Sequence, residues 1–427
     1  MTGYRNLARN HDFTVLWAGQ TLSELGSRVS MFVFPLLGYA LTGSALVAAL
    51  AEALHLLGLV GALLPAGVLA DRVHRQRLMR WASATGLILY ASLVTATLAG
   101  VLTVPHLLIV ALLSGACAGL FAPAETAAVR TVVPDDDLPT ALSQQQARQH
   151  VAGLVGGPLG GALYGIARWL PFAFDAVSYA VCWVLLGRIR ADLSAPRREG
   201  PRKRPLQDLG EGLRFLVSRP FFRVLLCWAP LSNLTVNAVF FVAILRMIES
   251  GVDPLALGLV ETAAGACGIL GALVAPWLID RFATGRLTVV VAWSFVPLMV
   301  PLVFWNHPAV VALALSVGVF LNPAGNAGIG AYRVAVTPRE LLGRAQATVS
   351  FTSMSIMPLA PVLAGLLLAT MGGGAAVAVL IVLCALVALI PTLSRSVRAI
   401  PRPEVWQAEL AAATPIVHDD LAAKVPA

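Results

Sequence analysis

Apolar residues fill this chain in long runs separated by short polar stretches. Twelve runs can be marked off, at residues 13–41, 45–70, 81–103, 106–129, 141–167, 170–187, 221–247, 254–279, 287–305, 308–332, 343–370 and 374–393. A helix rises about 1.5 Å per residue, so roughly 20 apolar residues match the hydrocarbon thickness of a bilayer. Transmembrane strands would be about ten residues long and alternate in polarity, which these runs do not. The pattern predicts an all-α integral membrane protein with twelve transmembrane helices.

Composition agrees. Hydrophobic residues make up 58% of the chain, charged residues 12%, and mean hydropathy is +0.80, well outside the range of a soluble domain. The first run follows a polar stretch with Arg5 and Arg9 and is too long for a signal-peptide core, so it is expected to be retained. Cys117, Cys182, Cys227, Cys267 and Cys384 all lie inside apolar runs without paired spacing. Neither disulfides nor a metal site is expected, and no cofactor.

Charge placement predicts orientation. Arg72, Arg75, Arg77 and Arg80 follow the second run, Arg281 and Arg286 the eighth, and Arg333, Arg339 and Arg344 flank the junction of the tenth and eleventh. The alternate loops carry almost no basic residue beyond Arg168. By the positive-inside rule both termini are cytoplasmic. The net charge of +8 is then a topology signal, and no nucleic-acid partner is implied.

Residues 188–219 interrupt the short loops with nine Arg or Lys against four Asp or Glu. They divide the chain into six-helix halves at 1–187 and 220–394, with a tail at 395–427 expected to be disordered. Leu206, Leu209, Leu213 and Leu216 share one helical face, so the later part of the linker is expected to lie along the inner membrane surface. The halves echo each other: Ala70-Asp71-Arg72 returns as Ile279-Asp280-Arg281, and Leu22-Ser-Glu-Leu as Leu231-Ser-Asn-Leu. Glu52 maps onto Glu261 and Arg28 onto Asn237 at the same separation. Two homologous halves related by an axis along the membrane normal are a transporter architecture.

GVLADRVHRQR, from Gly67 to Arg77, resembles the signature loop between helices 2 and 3 of the major facilitator superfamily, with His74 where a second Gly is usual. YALTGS, VVPDDDLPTALS, GGPLGGALYG, FDAVSYAVCWVLL, GLRFLVSRP and PRELLGRAQA are similar to drug and siderophore exporters related to macrolide-efflux and enterobactin-efflux proteins. The resemblance implies two pseudo-symmetric six-helix halves in a bacterial plasma membrane, and a monomer that expels an amphipathic small molecule in exchange for protons. It assigns gating to Gly67, Asp71, Arg72, Arg75 and Arg77, with Asp280 and Arg281 as their repeat. Asp71 is expected near the start of helix 11 at Gly343 and Arg344. Gly153, Gly157, Pro158, Gly160 and Gly161 resemble the antiporter signature of helix 5 with one spacer missing. Either direction-setting or tight helix packing fits that motif.

In that superfamily helices 1, 4, 7 and 10 line the cavity, so Gln20, Glu24, Ser27 and Arg28 are expected to face substrate. Glu24 precedes Arg28 by one turn, the favourable order for an ion pair, and is the first candidate for the proton site. Asn233 and Asn237 of helix 7, and Asn322 and Asn326 of helix 10, are candidate substrate ligands. Glu52 and His55, one turn apart on helix 2, are a second candidate for proton transfer or for closing an outer gate. Asp175 and Glu261 are expected to be structural. Glu125, Arg148, Gln149 and His150 are candidates for the inner entrance. A membrane enzyme would also hide charges in apolar helices, but no HExxH, CxxC, P-loop or Gly-x-Ser-x-Gly occurs. The expected partners are a small-molecule substrate, protons and membrane lipid.

Overall fold

The computed structural model describes residues 2–70, 73–194, 205–338 and 341–413. Twelve rods run back and forth through it: α1 (His11–Thr42), α2 (Ala45–Ala70), α3 (Arg75–Leu98), α4 (Val104–Val132), α5 (Leu138–Ile166), α6 (Leu170–Leu186), α7 (Pro220–Glu249), α8 (Pro254–Arg281), α9 (Thr284–Met299, continued by Pro301–Phe304), α10 (Pro308–Phe320 and Asn322–Ala335), α11 (Leu342–Ser355 and Leu359–Met371) and α12 (Gly373–Leu393). Ten are long and apolar enough to cross a bilayer unaided. The shorter α6 and the polar first half of α5 are carried by their neighbours.

The local signals are readable. Asn10 caps α1 by accepting from the Phe13 N–H at 3.1 Å, and Gly43, at φ +66°, closes its other end. Asp253 caps α8 in the same way. Proline opens α4 to α8 and α10, where its missing N–H costs nothing. Pro301, Pro323 and Pro358 stand at the interruptions of α9, α10 and α11, because proline cannot donate within a helix.

Packing is different at the two ends of the bundle. One buried cluster joins both halves at the end away from residues 2–9. It includes Phe34, Leu37, Ala48 and Phe172 of the first half, and Val242, Met247, Leu257 and Ala364 of the second. At the end that carries residues 2–9 and 403–413 the halves keep separate cores. Leu7, Leu16, Met79, Ala128 and Leu186 form one, and Leu216, Phe222, Trp228, Val349 and Trp406 the other. Among the described residues no buried apolar cluster joins the halves there. The bundle is therefore closed at one end and parted at the other. Large apolar side chains such as Ile88, Leu273, Trp277 and Leu313 are exposed on its flanks, as a lipid-facing surface requires.

One expectation is corrected. The tail is helical over Pro403–Ala413, because Trp406 is buried edge-on against Tyr332 of α10, their ring centroids 5.6 Å apart; residues 414–427 lie outside the described residues. The linker helix Pro205–Ser218 packs on α11 and α7 and buries Leu216 there, while Leu213 is exposed.

Candidate transport cavity

Small residues bring α5 into contact with both halves. Gly156 and Gly160 face α1 at Arg28 and Val29. On the other side of the helix, Gly157 and Gly161 face α8 at Gly258 and Pro254 of the second half. Any side chain at these four positions would meet backbone or a fixed neighbour. The glycine motif thus forms a contact between the halves at the closed end, matched by Gly365 of α11 against Ala45 and Ala49 of α2.

Below this contact lies a cavity of about 380 Å³, within the usual range for a small-molecule site. Its walls are mostly apolar, with Met31, Phe32, Phe240, Phe241, Ile244 and Val319 prominent. The polar side chains are few and come from both halves: Arg28 of α1, Glu52 of α2, Asn237 of α7 and Glu261 of α8. A second hollow of about 340 Å³ shares Arg28 and Gly153 and extends along Gln149, His150, Gly265 and Ile269 towards the parted end.

Arg28 Nε donates to Glu24 Oε1 at 3.0 Å. Its guanidinium is also within electrostatic reach of Glu52 and Glu261, so one cation serves three carboxylates. Glu52 is buried. Glu261 opens into the cavity and lies against Gly157. Repeat-related carboxylates of the two halves thus meet across one space, which their equal spacing in the sequence did not by itself reveal.

Other candidates lie elsewhere. Gln20 does not line the cavity: it is buried against α6, where its amide contacts Cys182 Sγ at 3.7 Å. Ser27 bonds the Tyr179 hydroxyl at 3.2 Å. The polar stripe of α1 is therefore split, because a helix this tightly packed on α6 buries one edge of it. Asn233 supplies a carbonyl to the Asn237 side chain at 2.7 Å. Asn326 donates to Asn322 Oδ1 at 2.8 Å, one to two turns from the cavity wall at Val319 and Leu315 of the same rod. His55 meets Ser114 Oγ of α4 at 3.2 Å and the Phe34 ring. Asp175 is fully buried against Gly26.

At the parted end, Arg75 is buried and donates to Thr131 Oγ1 at 3.1 Å, while Arg77, Asp280 and Arg281 are exposed. Gly67 falls in the last turn of α2; Asp71 and Arg72 lie outside the described residues. Pro158 sits within α5 next to Gly157. Glu125 and Arg148 do not line the entrance. They form a 2.6 Å ion pair between α4 and α5 with side chains 7% and 3% exposed.

Two pseudo-repeated helical halves around a central cavity define a membrane transporter. The sequence profile of the Major Facilitator Superfamily matches residues 16–321 and again 229–420, and the chain belongs to that superfamily. It is a multi-pass secondary transporter of a small-molecule substrate and not an enzyme. Among curated proteins there is no sequence match. The fold is similar to a bacterial homologue of the iron transporter ferroportin in an inward-facing state, with a TM-score of 0.70 and 18% identity over 91% of this chain and 98% of that one. It is similar also to a bacterial homolog of the human lysosomal transporter Spinster, inward-facing and unoccupied (0.69, 15%, 91% and 97%), and to a D-xylose–proton symporter (0.62, 15%, 89% and 97%). At such identities the likeness is one of fold.

Proposed function

We propose that this transporter expels a small amphipathic molecule in exchange for protons, by alternating access, as do the drug and siderophore exporters that its motifs resemble. The observation that carries this reading is the meeting of Glu52 and Glu261, one from each half, with Arg28 in an apolar-walled cavity. The aromatic and aliphatic walls suit an amphipathic cargo. A carboxylate that meets a guanidinium in one conformation and bulk water in another binds its proton differently in the two, so rocking of the halves couples proton and cargo. Glu24 holds Arg28 in place between them. With the basic loops cytoplasmic, the parted end faces the cytoplasm, and cargo enters from there.

The test is ethidium movement in proteoliposomes under an imposed pH gradient. Uphill ethidium movement with stoichiometric proton counterflow supports the reading. Movement only down the ethidium gradient makes the chain a facilitator, and no movement overturns the amphipathic-cargo assignment. Glu52→Gln and Glu261→Gln are each expected to abolish gradient-driven movement and keep downhill movement. If both retain the wild-type response while Glu24→Gln loses it, the proton site belongs on α1.

A further inference from the structure

The first half holds a second set of polar groups, walled off from the cavity. At its centre the Asp175 side chain of α6 is fully buried, and among the described residues no ion pair reaches it. The groups around it are neutral: Ser27 and Ser30 on α1, Tyr90 on α3, Ser114 on α4, Ser178 and Tyr179 on α6, and His55 on α2 beyond Ser114. An ionised carboxylate without a cation at such depth is strongly disfavoured.

Donor counting leads to the same place. Ser178 Oγ lies 2.8 Å from the Asp175 carbonyl oxygen and 2.9 Å from Asp175 Oδ1. A hydroxyl has one hydrogen, and a carbonyl oxygen has none to give. The single Ser178 hydrogen serves one of these contacts at a time; with it on the carbonyl, a carboxyl proton on Oδ1 completes the other, an arrangement that the absence of a cation favours. Ser114 repeats the arrangement, with Oγ 3.0 Å from the Ala111 carbonyl oxygen and 3.2 Å from His55 Nδ1; with the Ser114 hydrogen on that carbonyl, the hydrogen between them is the one on His55 Nδ1. Ser30 and Tyr90 stand beside the Asp175 carboxyl, and Tyr90 also lies beside Ser30 and Ser114.

We propose that Asp175 is a proton-binding site separate from the cavity, carrying its proton on Oδ1 in this conformation, with Tyr90, Ser114 and His55 as the string of groups that reloads it. Reloading balances without net charge on the string: His55 takes a proton at Nε2 and gives its Nδ1 proton to Ser114. Ser114, its hydroxyl turned from the Ala111 carbonyl, passes its own to Tyr90, and Tyr90 passes its own to the carboxylate. His55 lies one turn from Glu52 on α2, so the string ends on a helix that walls the cavity. Gly26 keeps α1 close enough to shut out water from the carboxyl.

Infrared difference spectroscopy of the purified full chain tests the assignment without any cargo. Wild type minus Asp175→Asn is expected to contain a protonated-carboxyl carbonyl band that shifts down in D2O, and Ser178→Ala is expected to move that band without removing it. In the ethidium assay, Asp175→Asn is expected to lose gradient-driven movement and keep downhill movement, and Tyr90→Phe to slow the driven movement while keeping the band. Absence of the band, or wild-type gradient-driven movement by Asp175→Asn, overturns the proposal. This role in transport rests on the exchange reading; if wild type moves ethidium only downhill, that reading fails while the infrared comparison still decides whether Asp175 binds the proton.

Discussion

Glu261 Oε2 of the second half occupies the space beside Gly157 of the first: a Cβ on Gly157 would stand 3.2 Å from it and 3.2 Å from both the Cα and the carbonyl oxygen of Gly258. The α5–α8 contact is therefore an interface between halves that closes on a cavity carboxylate. Overfilling such a contact costs about 1–3 kcal/mol. A cost of that size borne only by the closed interface shifts the balance between closed and parted states by roughly 5- to 150-fold. Gly157→Ala is expected to raise the population parted at this end, read as longer distances between spin labels on Ile166 and Phe304. Gly153→Ala, where a Cβ meets nothing within 4 Å, is expected to leave the distances unchanged.

The Glu125–Arg148 pair is a separate matter, because both members belong to the first half and move with it. Removing one partner of a buried pair leaves an uncompensated charge and costs roughly 3–5 kcal/mol, whereas replacing both with apolar groups of similar size is nearly neutral. Arg148→Met is expected to unfold at markedly lower temperature in detergent. The double variant Glu125→Leu, Arg148→Met is expected to recover most of that loss. Equal loss in the two variants would show that the pair contributes by its attraction and not by mutual neutralisation.

Much of this molecule was legible in the chain. Helix number and order followed from run length alone, since a membrane leaves few other ways to satisfy a backbone. The repeat matched the acids at 52 and 261 in sequence but not their meeting across one cavity. What periodicity withheld was which edge of a helix meets a neighbour: Gln20, Ser27 and Arg28 look alike as one polar stripe, yet only Arg28 reaches the cavity, because α6 covers the rest. Glu125 and Arg148 sit on different helices, and their meeting depends on how α4 and α5 turn towards each other. The helical tail escaped for a related reason: Trp406, which anchors it, packs on Tyr332, remote in sequence.

The same distinction separates the asparagines. Asn237 lines the cavity, whereas the side chains of Asn322 and Asn326 bond each other. Asn237→Leu is expected to change ethidium affinity several-fold, by removing a hydrogen-bonding group worth about 0.5–1.5 kcal/mol, and to leave coupling to the pH gradient intact. Asn326→Ala and Gln20→Leu are expected to leave affinity unchanged. Equilibrium fluorescence titration in detergent provides the comparison, and an affinity change confined to Asn326→Ala would move the binding site along α10.

Gly153 offers a test of orientation and opening together. It lines both hollows, and a Cβ there meets nothing, so a cysteine at this position adds a thiol to the water path without disturbing a helix contact. Cys227 and Cys267 are partly or fully accessible and are first replaced by serine; the remaining three cysteines are buried. In the conformation described here a hollow runs from Gly153 along Gln149, His150 and Ile269 towards the parted end. With the basic loops cytoplasmic, a membrane-impermeant thiol reagent is expected to label Gly153→Cys rapidly in inside-out vesicles and slowly in right-side-out ones. A cysteine in place of Leu257, which is fully buried in the cluster joining the halves, is expected to resist labelling from both sides until transport begins. Rapid labelling of Gly153→Cys from the outside alone would reverse the orientation, and with it the direction in which cargo enters the cavity.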